Sequence, residues 1–216
     1  MSAPPAALSL TLACAACVGA LLWADRAGSR IGRVLFKLGA SSAFVAVALA
    51  LGATGSGYGR WVLAALLLGW LGDAALLSRH PRAFLAGLGA FLLSHLCFAA
   101  AFLGGAVSGG AMAVAALGAL ALGGVVLRRL GPHVPAGFRW PVRAYVGVIL
   151  AMCIAAAGHA SASGRWAVLA GALLFATSDL AVARDRFVQP GFVNKLWGWP
   201  TYFGAQLLLA WSVAGP

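Results

Sequence analysis

Long apolar runs separated by short polar breaks make up almost the whole chain. Each run holds about 20 residues, and a helix of that length crosses the hydrocarbon core of a bilayer. The runs are continuous rather than alternating, which argues against a membrane β-barrel. The pattern predicts an all-α, polytopic membrane protein with eight transmembrane helices in one domain, 1–216. The predicted spans are 5–24, 34–53, 61–78, 83–104, 111–130, 142–158, 166–183 and 197–213.

The third and the seventh span are each interrupted by one aspartate and closed by an arginine. Asp73 precedes Arg79 by six residues, and Asp179 precedes Arg184 by five. At 1.5 Å rise per residue, both carboxyls would lie about 8–9 Å below the same membrane surface. An ionisable group inside a membrane is costly and points to a functional site. We therefore predict both aspartates as catalytic residues, within a few ångströms of each other if their helices pack side by side.

The spans that follow the two aspartates also echo each other. Gly-Leu-Gly-Ala-Phe-Leu-Leu-Ser-His95 follows the first aspartate, and Trp-Pro-Thr-Tyr202-Phe-Gly-Ala-Gln206 follows the second. This similarity predicts a parallel 4+4 pseudo-repeat with the site between the halves, an arrangement that some transporters use. Chance similarity between sequences rich in alanine, leucine and glycine is the alternative.

Further polar residues fall in the same half of the membrane as the aspartates, whereas the other half is almost entirely apolar or small. This one-sided polarity predicts a cavity that opens toward one membrane surface. We expect the following residues to bind substrate: Lys37, Ser41, His95, Tyr145, Ser178, Tyr202 and Gln206. The structural alternatives are hydrogen bonds between helices for the polar side chains and, for Lys37, a position that reaches the membrane surface.

Lysine and arginine lie mostly on one side of the predicted membrane. Twelve of them follow odd-numbered spans, and only Arg60 and Arg165 lie on the opposite side. Basic loops usually face the cytoplasm, so both termini are expected outside a bacterial inner membrane and the aspartates in its cytoplasmic half. The topology also explains the formal net charge of +11 without a nucleic-acid partner.

Metal and cofactor chemistry would find few ligands in this chain. All four acidic residues are aspartate, and only one histidine lies deep in a span. Zinc needs about three protein ligands close together, and no H-E-x-x-H, G-x-S-x-G or phosphate-binding loop is present. Cys14 and Cys17 lie in an apolar helix and are predicted to be packing residues. We predict neither a metal site nor a cofactor.

Two close carboxyl groups in a low-dielectric site cannot both be ionised cheaply, so one of them would hold its proton at neutral pH. A neutral acid beside a carboxylate suits general acid catalysis through a cationic transition state. Which aspartate is the acid stays open. Three other interpretations remain: an ion pair with Lys37 that only orients helices, a proton relay in a proton-coupled transporter or lipid carrier, and a silent lipid-binding scaffold.

The sequence resembles the YhhN-like family of integral membrane proteins, which includes the lysoplasmalogenases. Four segments carry the resemblance: Gly72-Asp73-Ala-Ala-Leu-Leu, Phe84-Leu-Ala-Gly-Leu-Gly-Ala-Phe-Leu-Leu-Ser-His95, Gly171-Ala-Leu-Leu-Phe-Ala-Thr-Ser-Asp179 and Thr201-Tyr202-Phe-Gly-Ala-Gln206-Leu-Leu. It implies an eight-span hydrolase that cleaves the vinyl ether bond of lysoplasmalogens. The products would be a fatty aldehyde and glycerophosphoethanolamine or glycerophosphocholine.

The resemblance also implies partners and roles. The partners would be a lysophospholipid substrate and membrane lipid, with head-group preference and oligomeric state open. One aspartate would protonate the vinyl ether, and the other would stabilise the resulting cation and activate water. Tyr202, Gln206 and Ser178 would position water or the glycerol hydroxyl, and Lys37 with nearby arginines would hold the phosphate.

Overall fold

The computed structural model describes residues 4–78 and 80–214, so Arg79, which closes the first aspartate segment, lies outside the described residues. Within these ranges the chain forms helices and no strand, which confirms the predicted all-α class. The long helices are α1 (Pro5–Arg26), α2 (Arg30–Ala50), α3 (Gly57–Ala75), α4 (Pro81–Leu103), α5 (Gly109–Leu130), α6 (Arg139–Ser163), α7 (Trp166–Ala183) and α8 (Phe192–Trp211).

Each predicted span coincides with one of these helices, and the largest differences are at two ends. Helix α6 continues to Ser163, and α8 begins at Phe192, five residues ahead of the predicted start. The early start of α8 brings Asn194 and Lys195 into a helix where the sequence predicted a loop. Three helices begin after a serine whose hydroxyl accepts a hydrogen bond from the amide three residues later, which satisfies a free helical N–H. These serines are Ser29, Ser56 and Ser108.

Six of the helices described, α1, α2 and α4 to α7, are long and apolar enough to cross a membrane by length and composition. Helices α3 and α8 fall outside this group although they have 19 and 20 residues. Their polar residues lower their hydropathy: α3 carries Arg60 and Asp73, and α8 carries Lys195 and Gln206. The protein is therefore an integral membrane protein, and eight crossings stay a prediction.

Six helices form a closed ring in the order α2, α3, α4, α6, α7 and α8, each packed against the next. Helix α3 also contacts α8, α1 lies outside the ring against α2 and α8, and α5 lies outside it against α6. The core is strongly aromatic, with Phe44, Phe98, Phe175 and Phe203 almost completely buried. The ring therefore surrounds an aromatic interior on which polar side chains converge.

The connection between α2 and α3 depends on a close backbone contact. Gly52 has a φ of 80°, in the left-handed region that favours glycine, and leads into the short turn Ala53–Gly55. A Cβ atom at Gly59 would lie 2.3 Å from the carbonyl oxygen of Ala53. At Gly57, two residues earlier, a Cβ atom would have nothing within 4 Å. Packing therefore requires a glycine at Gly59 but not at Gly57.

Gly59→Ala is expected to destabilise the protein, because the carbonyl group it would meet belongs to the backbone and cannot rotate away. Overpacking costs about 1–3 kcal/mol, so the midpoint of thermal unfolding in detergent should fall by several degrees. Gly57→Ala is the matched control and should leave the midpoint unchanged or slightly raised, because alanine favours a helix. Equal midpoints in the two variants would contradict the close contact.

Candidate active site

Asp73 lies on α3, and its two oxygens are held by groups from α2 and α8. The Nζ of Lys37 is 3.2 Å from Oδ1. The hydroxyl of Ser41 donates to Oδ2 at 2.6 Å, and the hydroxyl of Tyr202 donates to the same oxygen at 2.8 Å. The side chain is only 3% exposed. One cation and two hydroxyl donors thus compensate the burial of this carboxyl group.

Asp179 lies on α7 and receives its neighbours from α4 and α6. The hydroxyl of Tyr145 donates to Oδ1 at 3.1 Å. The Nε2 of His95 is 3.2 Å from Oδ2, which is within ion-pair distance but not aligned as a hydrogen bond. Among the described residues, Oδ2 has no hydrogen-bond partner, and the Asp179 side chain is 11% exposed. This carboxyl group is therefore less enclosed than that of Asp73.

The hydrogen bond on the other side of the His95 ring fixes which nitrogen carries a hydrogen. Nδ1 is 2.6 Å from the carbonyl oxygen of Phe91. A carbonyl oxygen only accepts, so Nδ1 must be the donor. A neutral ring then has a lone pair on Nε2, facing Oδ2 of Asp179. Two lone pairs at this distance would repel each other, and a proton on either atom would relieve that repulsion. The Asp179–His95 pair can therefore hold a transferable proton.

Both aspartates line one cavity of about 1480 Å³. That volume exceeds the 300–1,000 Å³ typical of small-molecule sites and suits a larger, apolar ligand. Of the predicted site residues, those on its wall are Lys37, Asp73, Tyr145, Ser178, Asp179 and Tyr202. Three others lie behind the wall: Ser41 contacts Asp73, His95 contacts Asp179, and Gln206 is fully buried.

The two carboxyl clusters are joined through an aromatic ring. The Phe175 ring centroid is 4.2 Å from that of His95 and 5.5 Å from that of Tyr202. No hydrogen bond joins the two carboxyls in the described part of the chain. Helices α3 and α7 both pack against α8. They are not one of the main pairs of helices that pack on each other, so the side-by-side packing expected for them is not found. Each carboxyl instead has a basic partner of its own.

Gln206 does not line the cavity, although the sequence predicts that it binds substrate. Its side chain is fully buried, and neither its oxygen nor its nitrogen has a hydrogen-bond partner in residues 4–78 and 80–214. A Cβ atom at Gly69 would lie 2.9 Å from its Nε2 and 3.2 Å from the Tyr202 hydroxyl. Gln206 therefore sits between α8 and α3, behind the tyrosine that binds Asp73.

The sequence did not reveal the ionic cluster at one end of the cavity. The Nζ of Lys195 is 3.0 Å from both oxygens of Asp25, and Arg33 Nη1 is 3.3 Å from Oδ1. All three residues line the cavity, together with Arg30. Asp25 follows an apolar run and has Arg26 beside it, which could have signalled a partner. The sequence indicates Lys195 only as a topology marker, because the predicted span of its helix begins at Trp197.

These features define a polytopic helical membrane protein with one buried and one half-buried carboxyl group on a large, mostly apolar cavity. The chain belongs to the YhhN family, whose sequence profile matches residues 32–213. This match confirms the family resemblance found in the sequence. No solved structure matches the chain.

Several relatives of this chain carry the name lysoplasmalogenase. The human lysoplasmalogenase TMEM86B is 33% identical over 156 residues, covering 72% of this chain and 64% of that protein. The lysoplasmalogenase TMEM86A of Bos taurus is 30% identical over 157 residues, covering 70% and 64%. A lysoplasmalogenase of Mycobacterium tuberculosis is 34% identical over 179 residues, covering 79% and 67%. The chain spans a little under two thirds of the length of the two mammalian relatives.

Lys37→Met is expected to destabilise the protein by about 3–5 kcal/mol, the usual cost of removing one partner of a buried ion pair. Asp73 would then be left as an uncompensated charge. The double variant Lys37→Met/Asp73→Asn should recover much of the loss, because a neutral amide needs no counter-ion. The measurement is the thermal unfolding midpoint of both variants in detergent. A double variant less stable than Lys37→Met would contradict the ion pair.

Proposed function

We propose that this protein is a hydrolase that cleaves the vinyl ether bond of a lysoplasmalogen into a fatty aldehyde and a glycerophospho-alcohol. The observation that carries the proposal is the Asp179–His95 pair, which can hold a transferable proton beside an apolar cavity that also contains Asp73. The names of the relatives support the same substrate class. Cleavage of the vinyl ether bond requires a proton on carbon, and the Asp179–His95 pair can carry a proton in a low-dielectric setting.

The first step is protonation of the substrate on carbon. Asp179, the member of the Asp179–His95 pair that lines the cavity, donates the proton to the β-carbon of the vinyl ether, and the electrons of the carbon–carbon double bond form the new C–H bond. The positive charge then lies on the carbon–oxygen unit as an oxocarbenium ion. Asp73, which has Lys37 and two hydroxyl groups around it, acts as the carboxylate that stabilises this cation. This assignment makes Asp179 the acid.

Water completes the reaction. Asp73 accepts a proton from the water molecule as its oxygen bonds to the cationic carbon, which gives a hemiacetal. Protonated Asp73 then gives this proton to the glycerol oxygen as the carbon–oxygen bond breaks. The hemiacetal hydroxyl returns its proton to the Asp179–His95 pair and becomes the aldehyde carbonyl. Both carboxyl groups end in their starting states.

The remaining predicted residues support the two carboxyl groups or the substrate. Tyr145 and Tyr202 donate hydrogen bonds that orient Asp179 and Asp73. Ser178 lines the cavity next to Asp179 and is available to the glycerol hydroxyl. Lys37 is the counter-ion of Asp73, so we assign the phosphate to the basic end of the cavity rather than to this lysine. Gln206 maintains the position of Tyr202.

We extend the proposal to membrane topology. Eight crossings would leave both termini outside and the basic end of the cavity facing the cytoplasm, as the distribution of arginine and lysine favours. The contacts also support the 4+4 pseudo-repeat. Each aspartate lies on the third helix of its half and is bound by the second helix of that half and the fourth helix of the other half. The site would then lie between two related halves.

The proposal predicts aldehyde release from a lysoplasmalogen by the purified protein in detergent. Asp73→Asn and Asp179→Asn should each reduce the rate at least a hundredfold, because acid–base catalysis typically contributes about 10²–10⁴-fold. The control is Asp185→Asn, since Asp185 also lines the cavity but, within the described ranges, accepts hydrogen bonds only from Gly191 and Asn194 at the start of α8. This variant should retain most of the activity.

Three results would count against the proposal. Full activity in either Asp73→Asn or Asp179→Asn would remove that carboxyl group from the mechanism. Loss of activity in Asp185→Asn as severe as in the other two would point to general damage rather than chemistry. Proton transport across proteoliposomes without aldehyde release would favour the transporter interpretation.

A further inference from the structure

Helix α5 stands apart from the ring and leaves a groove beside it. It packs against one flank of α6, while α7 packs against another. The half-buried strip of α6 between them forms the floor of the groove, with Val146, Leu150, Ile154 and Ala157 along it. These residues recur every three to four positions and so lie on one helical face. The groove is therefore a continuous apolar channel along α6.

The two walls of the groove are also apolar. Gly118 and Leu122 lie on the α5 wall, and Leu169 and Leu173 lie on the α7 wall. Gly118, Leu122 and Leu173 are exposed, so the groove is open on the side that faces the bilayer. All these residues line the same cavity as Asp179. A molecule in the groove can therefore reach the candidate catalytic groups without leaving the cavity.

The length of the groove matches one leaflet of a membrane. From Tyr145, which binds Asp179, to Ala157 there are 12 residues of α6, or about 18 Å of helix. Half of the hydrocarbon core of a bilayer measures about 15 Å. The groove is thus long enough for a single hydrocarbon chain whose reactive end lies beside Asp179.

The opposite end of the cavity has the complementary chemistry for a head group. Arg30, Arg33 and Lys195 line it, and Asp25 is the acid that pairs with two of them. A cavity that is basic at one end and apolar at the other fits an amphiphile with one chain and an anionic phosphate. Such a lipid would keep the orientation it has in the leaflet, with its head at the membrane surface.

We propose that the groove between α5 and α7 is the site for the hydrocarbon chain of a lysophospholipid, which enters sideways from the bilayer. This inference rests on the proposed function for the identity of the lipid. Because Gly118 has no side chain, the far part of the groove then stays open to the hydrocarbon chain. Gly123, five positions nearer the basic end, packs so closely on α6 that a Cβ atom would lie 2.6 Å from Leu150. Gly118 has open space around it and lies about 7–8 Å farther along the groove.

The test uses a saturated 1-O-alkyl lysophosphatidylethanolamine with a diazirine near the end of its chain, which the proposed chemistry cannot hydrolyse. Photolysis in nanodiscs followed by peptide mapping should place adducts on the groove residues of α5, α6 and α7. Gly118→Leu should abolish these adducts. Gly124→Leu is the matched control, because Gly124 also lies on α5 in open space but does not line the cavity. The Gly124→Leu variant should give the same adducts as the unmodified protein.

Labelling concentrated on the outward face of α5, where Val114, Leu117 and Leu120 are more than 70% exposed, would overturn the proposal. So would equal groove labelling in Gly118→Leu and Gly124→Leu, provided that both variants keep the thermal midpoint of the unmodified protein. Because labelling requires no turnover, groove adducts together with an absence of aldehyde release would reject the proposed activity and retain the lipid site. Aldehyde release without groove adducts would reject the lipid site alone.

Discussion

The cost of placing a carboxyl group away from water governs this structure. An uncompensated buried charge is far more expensive than any single packing contact, so each aspartate requires charged or hydrogen-bonding neighbours. Asp73 obtains them from α2 and α8, and Asp179 obtains them from α4 and α6. Counting the helices that carry the aspartates, all six ring helices contribute to one of the two clusters. The same contacts that make the acids tolerable also connect the ring.

The two clusters differ in a way that suits a division of labour. Asp73 is enclosed by a lysine and two hydroxyl groups, which fit a carboxylate that is charged at rest and takes a proton from water only transiently. Asp179 has one oxygen near a histidine and is more exposed to the cavity, which fits a group that gives up and regains a proton. Electrostatic interactions between such groups and a developing cation are strong where water is largely excluded. The apolar groove extends this environment along the chain of the proposed substrate.

Much of the fold could be predicted from the sequence because apolar runs and their breaks are local features. All eight long helices, and the position of Lys37, Tyr145 and Tyr202 in the same half of the membrane as the aspartates, could be predicted from such features. The contact of Asp179 with His95 could not be predicted in this way, because it depends on the order of the helices in the ring. Helix α4 packs against α6. Its sequence neighbour α5 is not one of the helices that it mainly packs against. The sequence of α5, which is apolar or small except for Arg128 and Arg129, contains no signal that the helix lies outside the ring.

Proton transfer from the Asp179–His95 pair to carbon is the central claim, and hydrolysis in D₂O tests it most directly. We expect the released aldehyde to carry one deuterium on the carbon next to the carbonyl, in a single configuration, because a fixed donor reaches only one face of the double bond. Mass spectrometry and NMR of the derivatised aldehyde measure both properties. Aldehyde without deuterium at that carbon, or with deuterium distributed equally between the two configurations, would contradict enzymatic protonation at this site.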